Sequence, residues 1–561
     1  MPGGLLSLVC YGNENVIISG NPQITWFYKT FVRYTHFSQE PIQVPLEGPN
    51  VLLMDAPILM KAKIPRQGDL LSDLVLRFEL PDIYSKAFIR QDASGNLVLD
   101  RKYEFAWARQ IGVRLIDTVT FTIGGQKIQE FTSDWISARA LLDNDITSYQ
   151  KWRYMVGDTP ELFDPANGMY ADPSGGYPNA IYWRPTEEIP DPIQNNSPSI
   201  PGRIIRVPLG LWFSDFIANS LPLVALEYHD AEITIKMRPI RDLYTILDPN
   251  DVRLRYGFQS LPYLPTDQYT SVWDPTRFGP LPPSLNNLYG EYTDLSGSMR
   301  HFLTDISGSI PPSDGWPLNA TLEATYTFVS PNERNTFPKK SLRYNVRQVQ
   351  NYIFNGVVTR DSYRLDVHNI ATRIVYFARR SDAIPYRNQS TNLTNWINPQ
   401  STERPIVMPP HGYSNTVFSN GQPIQIGRTG INIPGLRRQI IRNSYMSANG
   451  QELFKPQDAD YFTAYVPYKY LKGNAMPFQD FGLASQSEMW PIHTYSFALH
   501  GSDPEQPSGT LNTSRINRLE IDIDVEEIPL GARYTYEVQV FVETLNFLEI
   551  TSGQGGLKFA L

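Results

Sequence analysis

The stretch Leu519-Glu520-Ile521-Asp522-Ile523-Asp524-Val525-Glu526 alternates strictly between apolar and acidic side chains. Successive side chains of a β-strand point to opposite faces of its sheet, so this period of two predicts one buried face and one solvated face. Strands of this kind are typical of antiparallel sheets that pack face to face as a sandwich. We therefore predict that the odd-numbered residues of the stretch lie in a core.

The same period recurs in both halves of the chain. It is found at residues 74–80 and 231–238, and again at residues 534–543. A further predicted strand has one face formed by Val113, Leu115, Asp117, Val119, Phe121 and Ile123. Helical signals are few, the clearest being residues 132–141, which combine a Ser/Thr cap with apolar residues at helical spacing. Parallel sheets need a helix after almost every strand, so the predicted fold class is all-β.

The composition indicates large packed cores and restricts the possible partners. Of the 561 residues, 41% are hydrophobic and 19% are charged, which is enough for two large β-domains and too apolar for a disordered chain. The net charge is −8, and because binding to phosphates requires basic residues, we expect no direct contact with nucleic acid. Cys10 is the only cysteine, which excludes an internal disulfide and a cysteine-based zinc site.

Three stretches lack any period and are rich in proline and glycine: residues 164–203, 261–316 and 381–435. Long ordered loops in compact domains usually form functional surfaces. The middle stretch separates two strand-rich halves, which no sequence repeat relates. We predict four regions: an N-terminal arm at 1–25, a first β-domain at 26–245, a linker or loop insertion at 246–318 and a second β-domain at 319–561.

Motifs that would indicate catalysis are missing from the sequence. No histidine is followed by Glu-x-x-His, no Gly-Lys dipeptide exists for a P-loop, and neither G-x-G-x-x-G nor G-x-S-x-G occurs. The acidic residues 522, 524 and 526 could form a calcium site or part of a glycosidase pair, but a spacing of two places them on one strand face, where like charges are normally solvated. We therefore predict no catalytic residue, no cofactor and no metal site, and a protein that is not an enzyme.

Covalent modification has two candidate sites in the sequence. Asn388 and Asn392 both begin an Asn-x-Ser/Thr motif and lie in the third proline-rich stretch, where exposure is expected. Synthesis in the cytosol would leave both residues bare, and this is the interpretation that we favour.

Several segments resemble the major capsid proteins of nucleocytoplasmic large DNA viruses. The first is Met1-Pro2-Gly3-Gly4-Leu5-Leu6-Ser7-Leu8-Val9, and Ser19-Gly20-Asn21-Pro22-Gln23-Ile24-Thr25-Trp26-Phe27 follows it. Further matches occur in the family's order at residues 33–38, 116–117, 123–128, 134–135, 221–229, 323–334, 497–499 and 506–515. Ordered matches over most of the chain are much more specific than any one short motif.

The resemblance implies a double jelly roll, which is two eight-stranded antiparallel β-sandwiches in one chain with long loops and few short helices. On this basis the two β-domains are the two jelly rolls, and residues 323–334 lead into the second. The resemblance also implies a homotrimer that forms a pseudo-hexameric capsomer and tiles an icosahedral shell, in a virion assembled in the host cytoplasm. Its implied partners are neighbouring capsomers, minor capsid and penton proteins, and an internal membrane that the N-terminal arm contacts.

Two other functions are compatible with the sequence. A minor capsid or scaffold paralogue would share the fold but not the abundance in particles. A β-sandwich protein that binds or processes carbohydrate would use its many aromatic residues to stack on sugars, although cores and subunit interfaces use the same residues. The native mass separates a capsomer from a carbohydrate-binding monomer, and copy number in particles separates a major from a minor capsid protein.

Overall fold

A computed structural model of the chain describes most of its residues. They are residues 3–29, 31–91, 97–102, 104–165, 168–170, 177–178, 181–182, 197–247, 253–254, 299–303, 311, 313–396, 416–419, 422–425, 437–473, 478–479, 487–488, 491–503, 505–528 and 534–559. Most of the predicted loop at 261–316, and parts of the loops at 164–203 and 381–435, lie outside the described residues.

The first sandwich consists of two antiparallel sheets with four main strands each. Its strands are β1 (Phe37–Pro45), β2 (Ile58–Lys63), β3 (Leu70–Leu80), β4 (Ile116–Ile123), β5 (Gln126–Thr132), β6 (Arg203–Pro208), β7 (Ala231–Met237) and β8 (Thr321–Val329). One sheet has the order β1-β8-β3-β6 and the other has the order β2-β7-β4-β5. The short strand Leu221–Pro222 also pairs with β3.

The second sandwich repeats this arrangement. Its strands are β9 (Leu342–Val357), β10 (Asp361–Leu365), β11 (Ile370–Arg380), β12 (Ile441–Ala448), β13 (Gln451–Asp458), β14 (His493–Ser496), β15 (Leu519–Val525) and β16 (Tyr536–Thr551). The sheets have the orders β9-β16-β11-β14 and β10-β15-β12-β13. Counted along the chain within each sandwich, both orders are 1-8-3-6 and 2-7-4-5, the pairing of a jelly roll. The prediction of an all-β double jelly roll is confirmed.

Consecutive strands run in opposite directions, so the connections of each sandwich alternate between two ends. The connections after the first, third, fifth and seventh strands emerge at one end, which we call the loop end. All three proline-rich stretches belong to connections at this end, those after β5, β7 and β11. The N-terminal residues join the start of β1 at the opposite end, which we call the arm end.

Strand β8 follows the long connection that the sequence suggested as a linker. Its register with β1 runs from Phe37 opposite Val329 to Pro45 opposite Thr321, and its other edge pairs with β3. The predicted division at residue 319 is therefore wrong for β8, because this strand completes a sheet of the first sandwich. Of residues 323–334, only those after Val329 lead into the second sandwich. Residues 246–318 connect β7 with β8 inside one sandwich, and we propose that the division between the jelly rolls lies at residues 330–341.

The alternating stretches form the predicted strands, with one exception. In β15 the odd-numbered residues are at most 3% exposed, and the alternation in β3 and β7 is likewise confirmed. The strand predicted to include Val113 and Leu115 begins only at Ile116, after a short helix. A register shift beside Met237 places that residue opposite Ile116, so Ile116 is buried and Asp117 is not.

Helices are short and lie mainly in the connections. They are α1 (Gly3–Val9), α2 (Asn13–Ser19), α3 (Ile111–Leu115), α4 (Ser133–Asp143), α5 (Ile146–Met155), α6 (Pro160–Phe163), α7 (Met299–Phe302), α8 (Pro331–Arg334), α9 (Ala383–Arg387) and α10 (Val466–Tyr470), with a π-helical turn at Tyr461–Tyr465 before α10. Single 3₁₀ turns lie at Trp212–Ser214, Ile217–Asn219, Leu223–Ala225, Ile240–Asp242 and Thr513–Arg515. The helix predicted at residues 132–141 is confirmed as α4, with Thr132 at its N-cap position.

Short strands decorate the two sandwiches. They are Lys86–Gln91, Leu97–Lys102, Phe105–Trp107, Ile181–Tyr182, Leu221–Pro222, Tyr244–Leu247, Arg253–Leu254, Thr394–Trp396, Thr416–Ser419, Gln422–Gln425, Arg437–Gln439, Phe478–Gln479, Ser487–Glu488, Leu511–Asn512 and Gln554–Leu557. Two of them extend the sheets of the second sandwich, since Leu511–Asn512 pairs with β11 and Gln554–Leu557 pairs with β16.

Candidate assembly surfaces

Helix α4 lies between the two sandwiches. It begins directly after β5 and packs on the outer face of β11 and β16, which we call the closed face. The ring of Trp135 lies 5.4 Å from the ring of Phe541, which in turn lies 5.9 Å from the ring of Phe377. These side chains form one apolar cluster with the core of the first sandwich. The junction is therefore packed like a protein interior.

Buried ion pairs attach α4 to the closed face. Arg373 of β11 is fully buried. Its guanidinium donates hydrogen bonds to both carboxylate oxygens of Asp143, at 2.5 and 2.9 Å, and to Glu543 of β16 at 2.9 Å. Burial alone would raise the pKa of Asp143, but the charge of Arg373 and of two further arginines outweighs burial and lowers it to about 2. Asp143 is therefore ionised at neutral pH.

The ion pairs form a balanced network. Arg347 of β9 pairs with Asp215 at 2.8 Å, and Arg139 of α4 contacts both Asp215 and Asp143, the latter at 3.4 Å. Three arginines thus face three carboxylates with little access to solvent. Such a network adds little stability compared with apolar packing, but removing one member leaves a buried charge without its partner.

The other end of α4 is attached in the same way. Asp134 lies 3.5 Å from Arg379 of β11, and Arg379 pairs with Glu537 of β16 at 2.7 Å. Burial raises the pKa of Asp134, but Arg379 and two neighbouring arginines outweigh burial and lower it. Helix α4 therefore presents a carboxylate near each end to an arginine of the same strand, which fixes its position along β11.

Further contacts show that the two sandwiches point in the same direction. At the loop end, Asn388 donates to the backbone carbonyls of Arg241 and Tyr244, at 3.0 and 2.8 Å. At the arm end, the backbone N–H of Tyr228 donates to the carbonyl of Gly553 at 3.0 Å. The two loop ends therefore lie side by side, and so do the two arm ends.

The corresponding face of the first sandwich, the outer face of β3, β6 and β8, is charged and partly open to solvent. We call it the open face. Arg206 pairs with Glu323 at 3.0 Å, and Arg77 pairs with Glu79 at 2.9 Å. The side chain of Arg206 is 46% exposed, and that of Glu323 is 23% exposed. Ion pairs with this exposure contribute little to stability.

The residues before β1 expose a large apolar surface. Every described residue from 3 to 36 is exposed, including those of α1 and α2. Among them are large apolar side chains such as Ile18, Trp26 and Phe27, the last of which is 98% exposed. An apolar surface of this extent is rare on a soluble monomer and usually marks a site of interaction.

The predicted modification sites have different surroundings. Asn388 is only 3% exposed, and the amide nitrogen that would be glycosylated donates to two carbonyls. The amide of Asn388 is therefore already used inside the folded chain, and glycosylation of Asn388 remains a prediction that we do not favour. Asn392 is half-buried, its amide donates to Gln389 at 3.2 Å, and its modification remains a prediction that we do not favour.

The junction residues were not predicted from the sequence as functional. The signal that could have found them is the uninterrupted apolar run of residues 374–378 in β11, which is typical of a strand buried on both faces. Within the described part of the chain, no helix is long and apolar enough to cross a bilayer. The described side chains also include no cluster of three or more residues suited to hold a metal ion.

Family models identify both halves of the chain. The model of the major capsid protein N-terminus matches residues 25–263, and the model of the large eukaryotic DNA virus major capsid protein matches residues 333–556. The chain belongs to the family of large eukaryotic DNA virus major capsid proteins. Members of this family are structural capsid proteins and not enzymes, and this function applies to the chain.

Individual relatives agree with the family models over the whole chain. The major capsid proteins of Chrysochromulina ericina virus and Paramecium bursaria Chlorella virus 1 are each 24% identical to this capsid protein, with 100% of both chains covered. Among solved structures, PBCV-1 VP54 has a TM-score of 0.60 at 18% identity, covering 96% of this chain and 100% of that chain. The Faustovirus major capsid protein has a TM-score of 0.56 at 14% identity, covering 96% and 94%. These structures share the double jelly-roll fold.

Proposed function

We propose that three copies of this capsid protein form a pseudo-hexameric capsomer and that such capsomers tile an icosahedral shell. The observation that supports this most is the repeat of one strand order in two sandwiches that lie side by side and point the same way. A trimer of such chains contains six similar modules, so it can occupy a site of nearly sixfold symmetry. We also propose that this chain is the abundant protein of the shell and not a minor capsid protein.

The native mass of the purified protein tests the trimer. We expect about 192 kDa by light scattering, three times the chain mass of 63.9 kDa, and a six-cornered outline in electron micrographs. A monomer of 63.9 kDa over a range of concentrations would contradict the proposal. The number of copies in purified particles then separates the major from the minor capsid role.

The two ends of the capsomer have different proposed partners. The arm end would face the interior, where the exposed apolar side chains of residues 3–36 contact neighbouring capsomers, minor capsid proteins or an internal membrane. The loop end would face outwards, and penton proteins would join at the lateral surfaces. Assembly in the host cytoplasm is part of this proposal, and the single cysteine, Cys10, requires no oxidising compartment.

Deletion of residues 2–20 tests the role of the arm. Because no described residue of the arm is buried, we expect the shortened chain to form trimers of normal thermal stability that no longer assemble into a lattice or no longer bind lipid vesicles. As a matched control, Tyr28→Ala changes one exposed residue between the predicted arm and β1, outside the deleted segment, and should have a smaller effect. Loss of the trimer in the deletion variant would show that the arm belongs to the subunit interface.

A further inference from the structure

Each sandwich has a helical segment directly after its fifth strand, and each has a sheet with the strand order 1-8-3-6. In the first sandwich the helical segment is α4, and in the second it is residues 461–470, the tyrosine segment, which combines the π-helical turn with α10. Inside the chain, α4 of the first sandwich covers the outer face of this sheet in the second sandwich. The tyrosine segment is the equivalent of α4, and the open face is the equivalent of the closed face. Neither takes part in this internal contact.

The tyrosine segment is firmly anchored and exposes aromatic side chains. Its inner side is formed by Phe462 and Val466, which are at most 1% exposed, and the ring of Phe462 lies 5.4 Å from that of Phe454. On its outer side, Tyr468 is 88% exposed and Tyr465 is 47% exposed. Exposed aromatic residues on a rigid support are enriched at protein interfaces because they bury a large area at little entropic cost.

The edges beside these surfaces support the same conclusion. Within the chain, β5 lies beside β9, where Gln348 donates to the carbonyl of Ile128 at 2.7 Å and Gln129 donates to the carbonyl of Arg347 at 2.8 Å. The corresponding strand of the second sandwich, β13, is exposed over most of its length, and so is β1 of the first sandwich. The helical segment, the sheet face and the two edge strands that join the sandwiches inside the chain thus each have an equivalent that is exposed.

We propose that a second copy of this chain places its tyrosine segment on the open face, with its β13 beside β1. This inference rests on the proposed function and specifies which surfaces form the capsomer. The contact is heterologous, because it joins two different surfaces, and a heterologous contact closes into a ring when its rotation is a fraction of a full turn. The open face is charged where the closed face is apolar because it must remain soluble until another copy covers it.

Tyr468→Asp tests the proposal at a residue that makes little contact within its own chain. We expect the native mass to fall from the trimer to the monomer, with the thermal unfolding midpoint of the monomer close to that of dissociated wild-type protein. Arg206→Glu on the open face should have the same effect. Tyr28→Asp, which changes an exposed tyrosine between the predicted arm and β1, should leave the trimer intact.

Crosslinking provides a second measurement that does not depend on loss of assembly. In a Cys10→Ser background, Tyr468→Cys and Arg206→Cys are introduced separately and together and treated with a short bismaleimide. We expect covalent dimers and trimers when both cysteines are on one chain, covalent dimers when the two single variants are dissociated, mixed and reassembled, and no crosslink from either single variant alone. If wild-type protein is a trimer but Tyr468→Asp remains trimeric and no crosslink forms, the assigned surfaces are wrong while the trimer stands. If wild-type protein is a monomer, the proposed function itself fails.

Discussion

The closed face and the open face are the same sheet of two equivalent sandwiches, yet their side chains differ in kind. The closed face presents Val375, Phe377 and Phe541, and its arginines are buried under α4. The open face presents Arg77, Arg206 and Glu323, which pair with one another and remain partly hydrated. A contact that forms once, during folding, can be as apolar as a core. A face that waits for another molecule must be soluble by itself, and its charges provide that solubility.

The largest expected effect comes from removing a charge at the closed face. Arg373→Met should lower the free energy of unfolding by about 3–5 kcal/mol, because it removes the arginine that donates to both Asp143 and Glu543 and leaves three buried carboxylates facing two arginines. The measurement is denaturant unfolding of the intact chain. Arg206→Met at the open face, in a Tyr468→Asp background that removes the proposed contact between copies, is the matched control and should cost less than about 1 kcal/mol because solvent screens an exposed pair.

A double variant sharpens this comparison. In the variant Arg373→Met with Asp143→Asn, the carboxylate that loses its arginine is also neutral. We expect this double variant to be more stable than Arg373→Met alone. Equal stability of Arg373→Met and the wild type would contradict the proposed difference, because it would mean that the carboxylates of the closed face do not need their arginine.

Lowering the pH should decrease the free energy of unfolding by a smaller amount, through a residue of the second sandwich. His493 in β14 is buried against Tyr376, with ring centroids 5.1 Å apart, and burial lowers its pKa from 6.5 to about 3. The unfolded chain therefore binds a proton below pH 6.5 while the folded chain does not. The stability contributed by the neutral ring is complete above pH 6.5 and decreases as the pH falls, by about 1.5 kcal/mol between pH 6.5 and 5.0.

His493→Phe isolates this contribution. The variant keeps an aromatic ring beside Tyr376 but cannot titrate, so its free energy of unfolding should decrease less than that of the wild type over the same pH range. Asp143 does not interfere, because its lowered pKa confines its own loss of stability to more acidic solutions. Parallel slopes for variant and wild type would show that His493 takes up its proton as readily in the folded chain as in the unfolded chain, so that burial does not lower its pKa.

The difference between the two faces also explains which features could be predicted from the sequence. The period predicts strands with one solvated face, such as β7 and β15, because no distant part of the described chain covers their polar side chains. The period at residues 534–543 predicted a solvated polar face, but Gln539 and Glu543 are buried because α4 covers them from another part of the chain. Likewise, β8 returns to pair with β1 across almost 300 residues of sequence, as in the pairing of Phe37 with Val329. The alternation at residues 534–543 carries no signal of the contact with α4, which only the apolar run of β11 indicates, and the pairing of β8 with β1 leaves no local signal.

The smallest expected effect concerns the pair of Arg206 and Glu323 at the open face. In a Tyr468→Asp background, in which the proposed contact between copies is removed, a double-mutant cycle with Arg206→Ala and Glu323→Ala should give a coupling of about 0.2–1 kcal/mol that decreases with added salt. The corresponding cycle for Arg373 and Glu543 at the closed face should give a larger coupling that salt barely changes, because no mobile ions reach that pair. An equally large, salt-independent coupling at the open face would mean that this face is already covered in the isolated chain. It would then be unavailable to a second copy, and the comparison between the two faces would no longer distinguish folding from assembly.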